Sequence, residues 1–250
     1  MPTPALQITK LHKNYGHTPA LIDINLEVAI GSCFGLIGAN GAGKTTLLKC
    51  LLDFCDVDAG EINIFGQSHK LTQARQQVSY LPERFIPPHY LTGTDFLQYM
   101  TALHEQVYDP ALVDSQLDAL GLERTALKRP VRSFSKGMTQ KLGLAACLLA
   151  AKDLLILDEP TSGLDPLARS YCKHALAAQK QAGRTLIMST HALLDVAQLC
   201  DTMAVMEQGR LCFIGSPAAF LQQYQTDDLE LAYLTCIGAA RPIDTIQSSA

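Results

Sequence analysis

The sequence has no tryptophan, and only 6% of its residues are aromatic. It also lacks a long apolar run: the longest, residues 142–151, stops at Lys152-Asp153. That is well short of the roughly 20 apolar residues that span a bilayer, so the run reads as a buried helix. Charge of one sign is scarce as well. Twenty Lys and Arg against 24 Asp and Glu leave a formal charge of −4, which argues against a nucleic-acid partner held by general electrostatics. The one basic cluster, Lys128, Arg129, Arg132, Lys136 and Lys141, reads as a solvated face. Met1-Pro2-Thr3-Pro4 shows no signal-peptide pattern. The eight cysteines include no Cys-x-x-Cys pair; they read as reduced core residues, with no structural metal expected. No internal repeat or coiled-coil insert is visible. At 250 residues the chain suits one or two domains.

What is present is a set of phosphate and acid motifs. Ser32-Cys33-Phe34-Gly35-Leu36-Ile37 reads as a buried strand, followed by Gly38-Ala39-Asn40-Gly41-Ala42-Gly43-Lys44-Thr45, which fits G-x-x-x-x-G-K-[ST]. Glycines there let successive amides point at phosphate oxygens, and the helix expected from Thr45 onward adds its positive end. Lys44 can reach terminal phosphates, and the Thr45 hydroxyl can ligate Mg2+. A second apolar run, Leu154-Leu155-Ile156-Leu157, delivers Asp158 and Glu159 to the end of a parallel strand. Asp158 is the candidate second metal contact, and Glu159 the candidate general base for an attacking water. His191 follows another apolar strand, Thr185-Leu186-Ile187-Met188-Ser189-Thr190.

With Phe134-Ser135-Lys136-Gly137-Met138 lying shortly before the Asp158 strand, the three motifs in this order resemble the ATP-binding cassette of ABC transporters. The resemblance runs from about Tyr15 to about Gly215. It implies ATP and Mg2+ as ligands, with Gly38, Asn40, Gly41, Ala42, Gly43, Lys44, Thr45 and Thr46 around the phosphates. It implies that Tyr15 stacks on adenine and that His191 contacts the γ-phosphate. Pro160-Thr161-Ser162-Gly163-Leu164-Asp165 looks like the D-loop, which places Asp165 at the nucleotide. Ser135 and Gly137 would bind the γ-phosphate of ATP held by an opposite subunit. The sequence departs from the usual Ser-Gly-Gly-Gln at Lys136 and Met138, and Glu83 stands where cassettes place a Gln. Both variants look like cassettes of ABC-2 type exporters.

The expected fold is α/β: a P-loop NTPase core with a parallel sheet, an N-terminal antiparallel β layer and an inserted helical subdomain. Residues 1–83 and 142–222 would form the core, 84–141 the helical subdomain, and 223–250 a short tail with an amphipathic stretch and a Ser-rich, frayed end. The resemblance implies an ATPase that dimerises around ATP, most simply as a homodimer. It would drive transport, by export, through separate membrane-spanning permease subunits, and lie peripherally on the cytoplasmic face of the plasma membrane. Phe85, Pro87, Pro88 and Tyr90 suit a docking surface for those subunits. Two alternatives stay open: a degenerate cassette that binds ATP as a structural partner, with Glu83 its only support, and a cassette ATPase unconnected to transport.

Overall fold

The computed structural model describes residues 3–239; the Ser-rich end lies outside them. Alternating apolar and polar residues build β1 (Leu6–Tyr15) and β2 (Thr18–Val28), which pair antiparallel with Leu6 opposite Val28 and Tyr15 opposite Thr18. Tyr15 therefore ends a strand. The chain next forms β3 (Cys33–Ile37), the phosphate loop and α1 (Lys44–Leu51). Two further strands, β4 (Ala59–Ile64) and β5 (Gln67–Ser68), then join the first layer in the order β2-β1-β4-β5. The opening segment thus supplies two strands of the layer, and the other two come from beyond the phosphate loop. A short helix, α2 (Thr72–Arg75), leads to β6 (Val78–Leu81).

The helical segment has well-marked punctuation. In α3 (Gly93–Leu103) the Thr92 and Asp95 side chains cap each other's backbone, which starts this helix ahead of the apolar spacing visible from Leu97. Asp109 caps α4 (Pro110–Leu120), with proline at its first position, and Gly121 ends it in the left-handed conformation (φ 58°). Two 3-10 turns, Arg124–Lys128 and Val131–Ser133, lead to α5 (Lys136–Leu149), capped by the Ser135 side chain. The apolar run that is too short for a membrane becomes the buried part of α5.

Thereafter strands and helices alternate: β7 (Leu154–Asp158), α6 (Pro166–Gln181), β8 (Thr185–Thr190), α7 (Leu193–Leu199), β9 (Thr202–Glu207), β10 (Arg210–Gly215), α8 (Pro217–Gln223) and α9 (Leu229–Cys236). The second sheet has the order β10-β9-β3-β8-β7-β6; all its pairs are parallel except the β9–β10 hairpin. Every residue of β3, β7 and β8 is buried, as a parallel sheet covered on both faces requires. One face packs Leu155, Leu157, Leu186 and Met188 against Leu117, Leu144 and Val196. The other packs Leu154, Ile156 and Ile187 against Leu47, Leu48 and the antiparallel layer. Helix α8 is tied to β10 by an aromatic chain, Phe213 to Phe220 at 4.7 Å and Phe220 to Tyr224 at 5.0 Å.

All eight cysteines are free thiols, five buried and Cys212 exposed. Among the described residues no helix is long and apolar enough to cross a membrane. Because neighbouring residues of β7 point into different cores, Leu155→Ala and Ile156→Ala should each lower the unfolding free energy by about 2–5 kcal/mol. The urea midpoint reads this, and a cost under about 1 kcal/mol at either position would mean that its face of the sheet is poorly packed.

Candidate functional site

The phosphate loop is wedged between two neighbours that leave no room for a side chain at Gly38 or Gly43. A Cβ on Gly38 would lie 2.5 Å from the Met206 carbonyl oxygen, and one on Gly43, at φ 113°, 2.9 Å from that of Ala20. Gly43 also begins α1, where no side chain caps the first turn and no acidic residue precedes the dipole's positive end. Such a helix start is disposed to accept an anion. The buried Lys44 ammonium donates to the carbonyl oxygens of Gly38 (2.6 Å) and Ala39 (3.2 Å), so one of its three donors is left for a ligand.

Parallel pairing places Asp158 beside Ser189, whose hydroxyl donates to Asp158 Oδ1. Thr45 Oγ1 lies 3.4 Å from Asp158 Oδ2, a long separation for a hydroxyl–carboxylate bond but one that suits two oxygens sharing a divalent cation. Burial pushes the Asp158 carboxyl above its usual range, and the charge of Glu83 pushes the same way; the Ser189 hydroxyl, Lys44 and Thr45 pull it back. A desolvated carboxylate with a hydroxyl close by fits an Mg2+ contact.

Glu159 takes an unusual backbone conformation, φ 51°, held by its N–H donating to both the Ser189 carbonyl oxygen (3.1 Å) and hydroxyl (3.2 Å). A left-handed glutamate costs on the order of 1–3 kcal/mol and is tolerated where surrounding bonds over-determine it. Its buried Oε2 lies 2.9 Å from Nδ1 of the exposed His191, and no aligned hydrogen bond satisfies that oxygen among the described residues.

A cavity of about 710 Å³ opens beside the loop. Of the residues expected at the site, Tyr15, Asn40, Gly41, Gly43, Lys44, Thr45, Thr46, Glu83, Asp158 and Glu159 line it. Tyr15 is 52% exposed, with the Lys13 ammonium 5.4 Å from its ring centre. Gly38, Ala42, His191, Ser135, Gly137 and Asp165 do not line this cavity. Gly38 and His191 border an adjoining cavity of about 910 Å³ that reaches Tyr233 on α9. The buried Ala42 accepts at 2.9 Å from the Gly209 amide. Asp165 caps α6 through Ala168 N, and the hydroxyl of the exposed Ser135 accepts from Met138 N.

Several lining residues are not visible in the motifs. Thr18, Ala20 and Ile22 come from β2, and Gln208 and Gly209 from the β9–β10 turn; that turn also accepts from Ile22 N at 2.8 Å. Two cations of the basic cluster are not merely solvated. Lys136 lies over Gly163, with Nζ 2.8 Å from where its Cβ would be, and Lys141 donates to the Gly121 carbonyl oxygen at 2.8 Å. In the aromatic and proline segment, Pro87 is buried, whereas Ile86 and Tyr90 are 69% and 82% exposed.

Comparison with known proteins places the sequence and the fold in one family. A family model described as ABC transporter matches residues 21–162, over half of the chain. An ABC transporter ATP-binding protein of Synechocystis sp. is 38% identical over 81% of this chain, which spans 58% of that relative's length. The Nod factor export ATP-binding protein I of Paraburkholderia xenovorans is 35% identical, over 88% of this chain and 74% of its own. A solved ATP-binding subunit of an ABC transporter superposes with a TM-score of 0.83 at 29% identity, over 93% of this chain and 99% of that one. The chain belongs to the ABC transporter family, whose cassettes hydrolyse ATP, and it carries that family's ATP-binding domain.

Proposed function

We propose that this chain is an ATP-hydrolysing subunit that closes over ATP with a second cassette and drives export through separate membrane-spanning subunits. The observation that carries the reading is the gathering of Lys44, Thr45, Asp158 and Glu159 on one cavity, with His191 against Glu159. In this reading the half-exposed Tyr15 offers the adenine a ring face. The loop amides, the α1 N-terminus and Lys44 hold the phosphates. Mg2+, held by Thr45 and Asp158, would supply positive charge at the transferred phosphoryl group.

Glu159 accepts a proton from the attacking water as the new P–O bond forms and the bond to ADP breaks. His191 holds the carboxylate and the water in register. Glu83 lines the same cavity and can accept from a water, though it cannot donate as an amide does.

The need for a second cassette is supported by Ser135 and Gly137. Neither lines this chain's own cavity, and a Cβ on Gly137 would meet only Leu164, at an ordinary 3.6 Å. Nothing among the described residues requires glycine there, whereas a phosphate brought close by a second copy would. Asp165, at the exposed start of α6, would meet the nucleotide across the same junction. Exposed Ile86 and Tyr90 give the membrane subunits an apolar hold, which would place the chain peripherally at the cytoplasmic face of the membrane. Export is supported by Ser135-Lys136-Gly137-Met138, by Glu83 after Leu81-Pro82, and by the likeness to a Nod factor export protein. The domain limits expected from sequence, with 84–141 as a helical subdomain, belong to the same reading.

Glu159→Gln should keep ATP binding while slowing hydrolysis roughly 10²- to 10⁴-fold, measured as steady-state turnover over a wide range of protein concentration. Specific activity of the unaltered chain should rise with concentration; a flat profile would count against a shared site, and near-normal turnover in the variant against Glu159 as base. Lys44→Ala should weaken ATP binding about 10- to 100-fold through the lost charged hydrogen bond. Tyr15→Ala should weaken it only about fivefold, the scale of one stacking contact. Equilibrium titration with a fluorescent ATP analogue separates the two; equal losses would contradict these roles.

A further inference from the structure

The buried charged groups Lys44, Asp158 and Glu159 belong to the site described above. Asp195 does not, yet it is 1% exposed. It lies in the first turn of α7, four residues after His191. Its Oδ2 accepts from the hydroxyl of Thr161 at 2.8 Å, and Thr161 is two residues after Glu159 and itself buried. Two cations of α6 face the same carboxylate more loosely, Arg169 Nε at 3.5 Å and Lys173 Nζ at 3.6 Å. Three segments therefore meet at one carboxylate: the loop after β7, the first turns of α6, and the start of α7.

A buried carboxylate is a poor way to gain stability, since desolvation offsets most of the attraction and apolar packing would serve as well. Its use here is geometric. Among the described residues, the Glu159 Oε2 atom that approaches His191 has no aligned hydrogen bond, and the His191 side chain is 63% exposed. Among the described residues no hydrogen bond holds either side chain in place, so their 2.9 Å approach depends on how the two backbone segments are held together. Ser189 fixes the Glu159 end through its N–H, and Thr190 Oγ1 accepts from Ala192 N at 3.0 Å beside His191. Beyond those residues, the Thr161–Asp195 bond joins one segment to the other.

We infer that Asp195 is a positioning residue: by accepting the Thr161 hydroxyl it locks the segment carrying Glu159 to the segment carrying His191, so that base and imidazole stay in register. The inference rests on Glu159 acting as the base. Thr161→Val removes the hydroxyl with little change of volume and leaves Asp195 beside Arg169 and Lys173. It should lower kcat between about 10- and 100-fold, as small displacements of reacting groups do, with ATP affinity changed by no more than about twofold. Thr161→Ser should restore turnover. In single-turnover hydrolysis with Glu159→Gln as background, Thr161→Val should cost nothing further, because the group it positions is already gone. An unchanged kcat, or the full loss repeated in that background, would overturn the inference.

A second measurement needs no turnover. Hydrogen–deuterium exchange of the nucleotide-free chain should show faster exchange in Thr161→Val at residues 159–163 and at 190–197 together. A change confined to the first segment would overturn the lock even if Glu159 is the base. Near-normal turnover in Glu159→Gln alone would instead remove the base and leave the exchange result to stand.

Discussion

Parallel hydrogen bonding among β3, β8 and β7 brings their carboxyl ends to one edge of the sheet, and the site depends on that constraint. Cys33 pairs with Leu186, and Leu154 with Thr185, so the phosphate loop, the Asp158-Glu159 pair and His191 emerge side by side although they are far apart in sequence. The interior of each strand is apolar, and chemistry begins at the first polar residue beyond it. Ser189 marks the changeover: still inside β8, it already donates to Asp158 and fixes the Glu159 amide. The antiparallel layer then acts as a wall. Its Ala20 carbonyl stands against Gly43, and the β9–β10 turn bonds to Ala42 on one side and Ile22 on the other. The loop's shape is set from outside as much as by its own glycines.

How much of this was legible in the sequence depended on whether the signal was local. β3, α1, β7 and β8 stand where apolar runs and glycines placed them, because a strand buried on both faces and a phosphate loop each require particular residues in consecutive positions. The two ends of α4, Asp109-Pro110 and Gly121, are equally local: a cap and a left-handed terminus are one-residue devices. The start of α3 was not, since it depends on the reciprocal capping of Thr92 and Asp95 and not on apolar spacing. Nor was the makeup of the antiparallel layer, where β4 pairs with β1 across about 50 residues and carries β5 on its outer edge.

At the site, the residues inside motifs were visible as candidates. Those that arrive by folding, namely Ala20, Ile22, Gln208 and Gly209, carry no mark of their own. Asp195 and Thr161 are similar: a threonine after a proline and an aspartate on a short helix are ordinary in sequence, and only their burial together sets them apart. The basic cluster was misleading in part. Lys136 and Lys141 looked like solvated charges, yet their long stems reach Gly163 and Gly121, as amphipathic lysine side chains can.

The left-handed backbone at Glu159 also limits how this position can drift over evolutionary time. Valine, isoleucine and threonine are poorly tolerated at positive φ, so replacements there are confined to unbranched side chains. The residues that accept such a conformation most readily, glycine, asparagine and aspartate, are all too short to maintain the 2.9 Å approach to His191. Backbone and chemistry thus select for the same long, unbranched acid, and glutamine is the replacement that would keep the reach and the backbone while giving up the base.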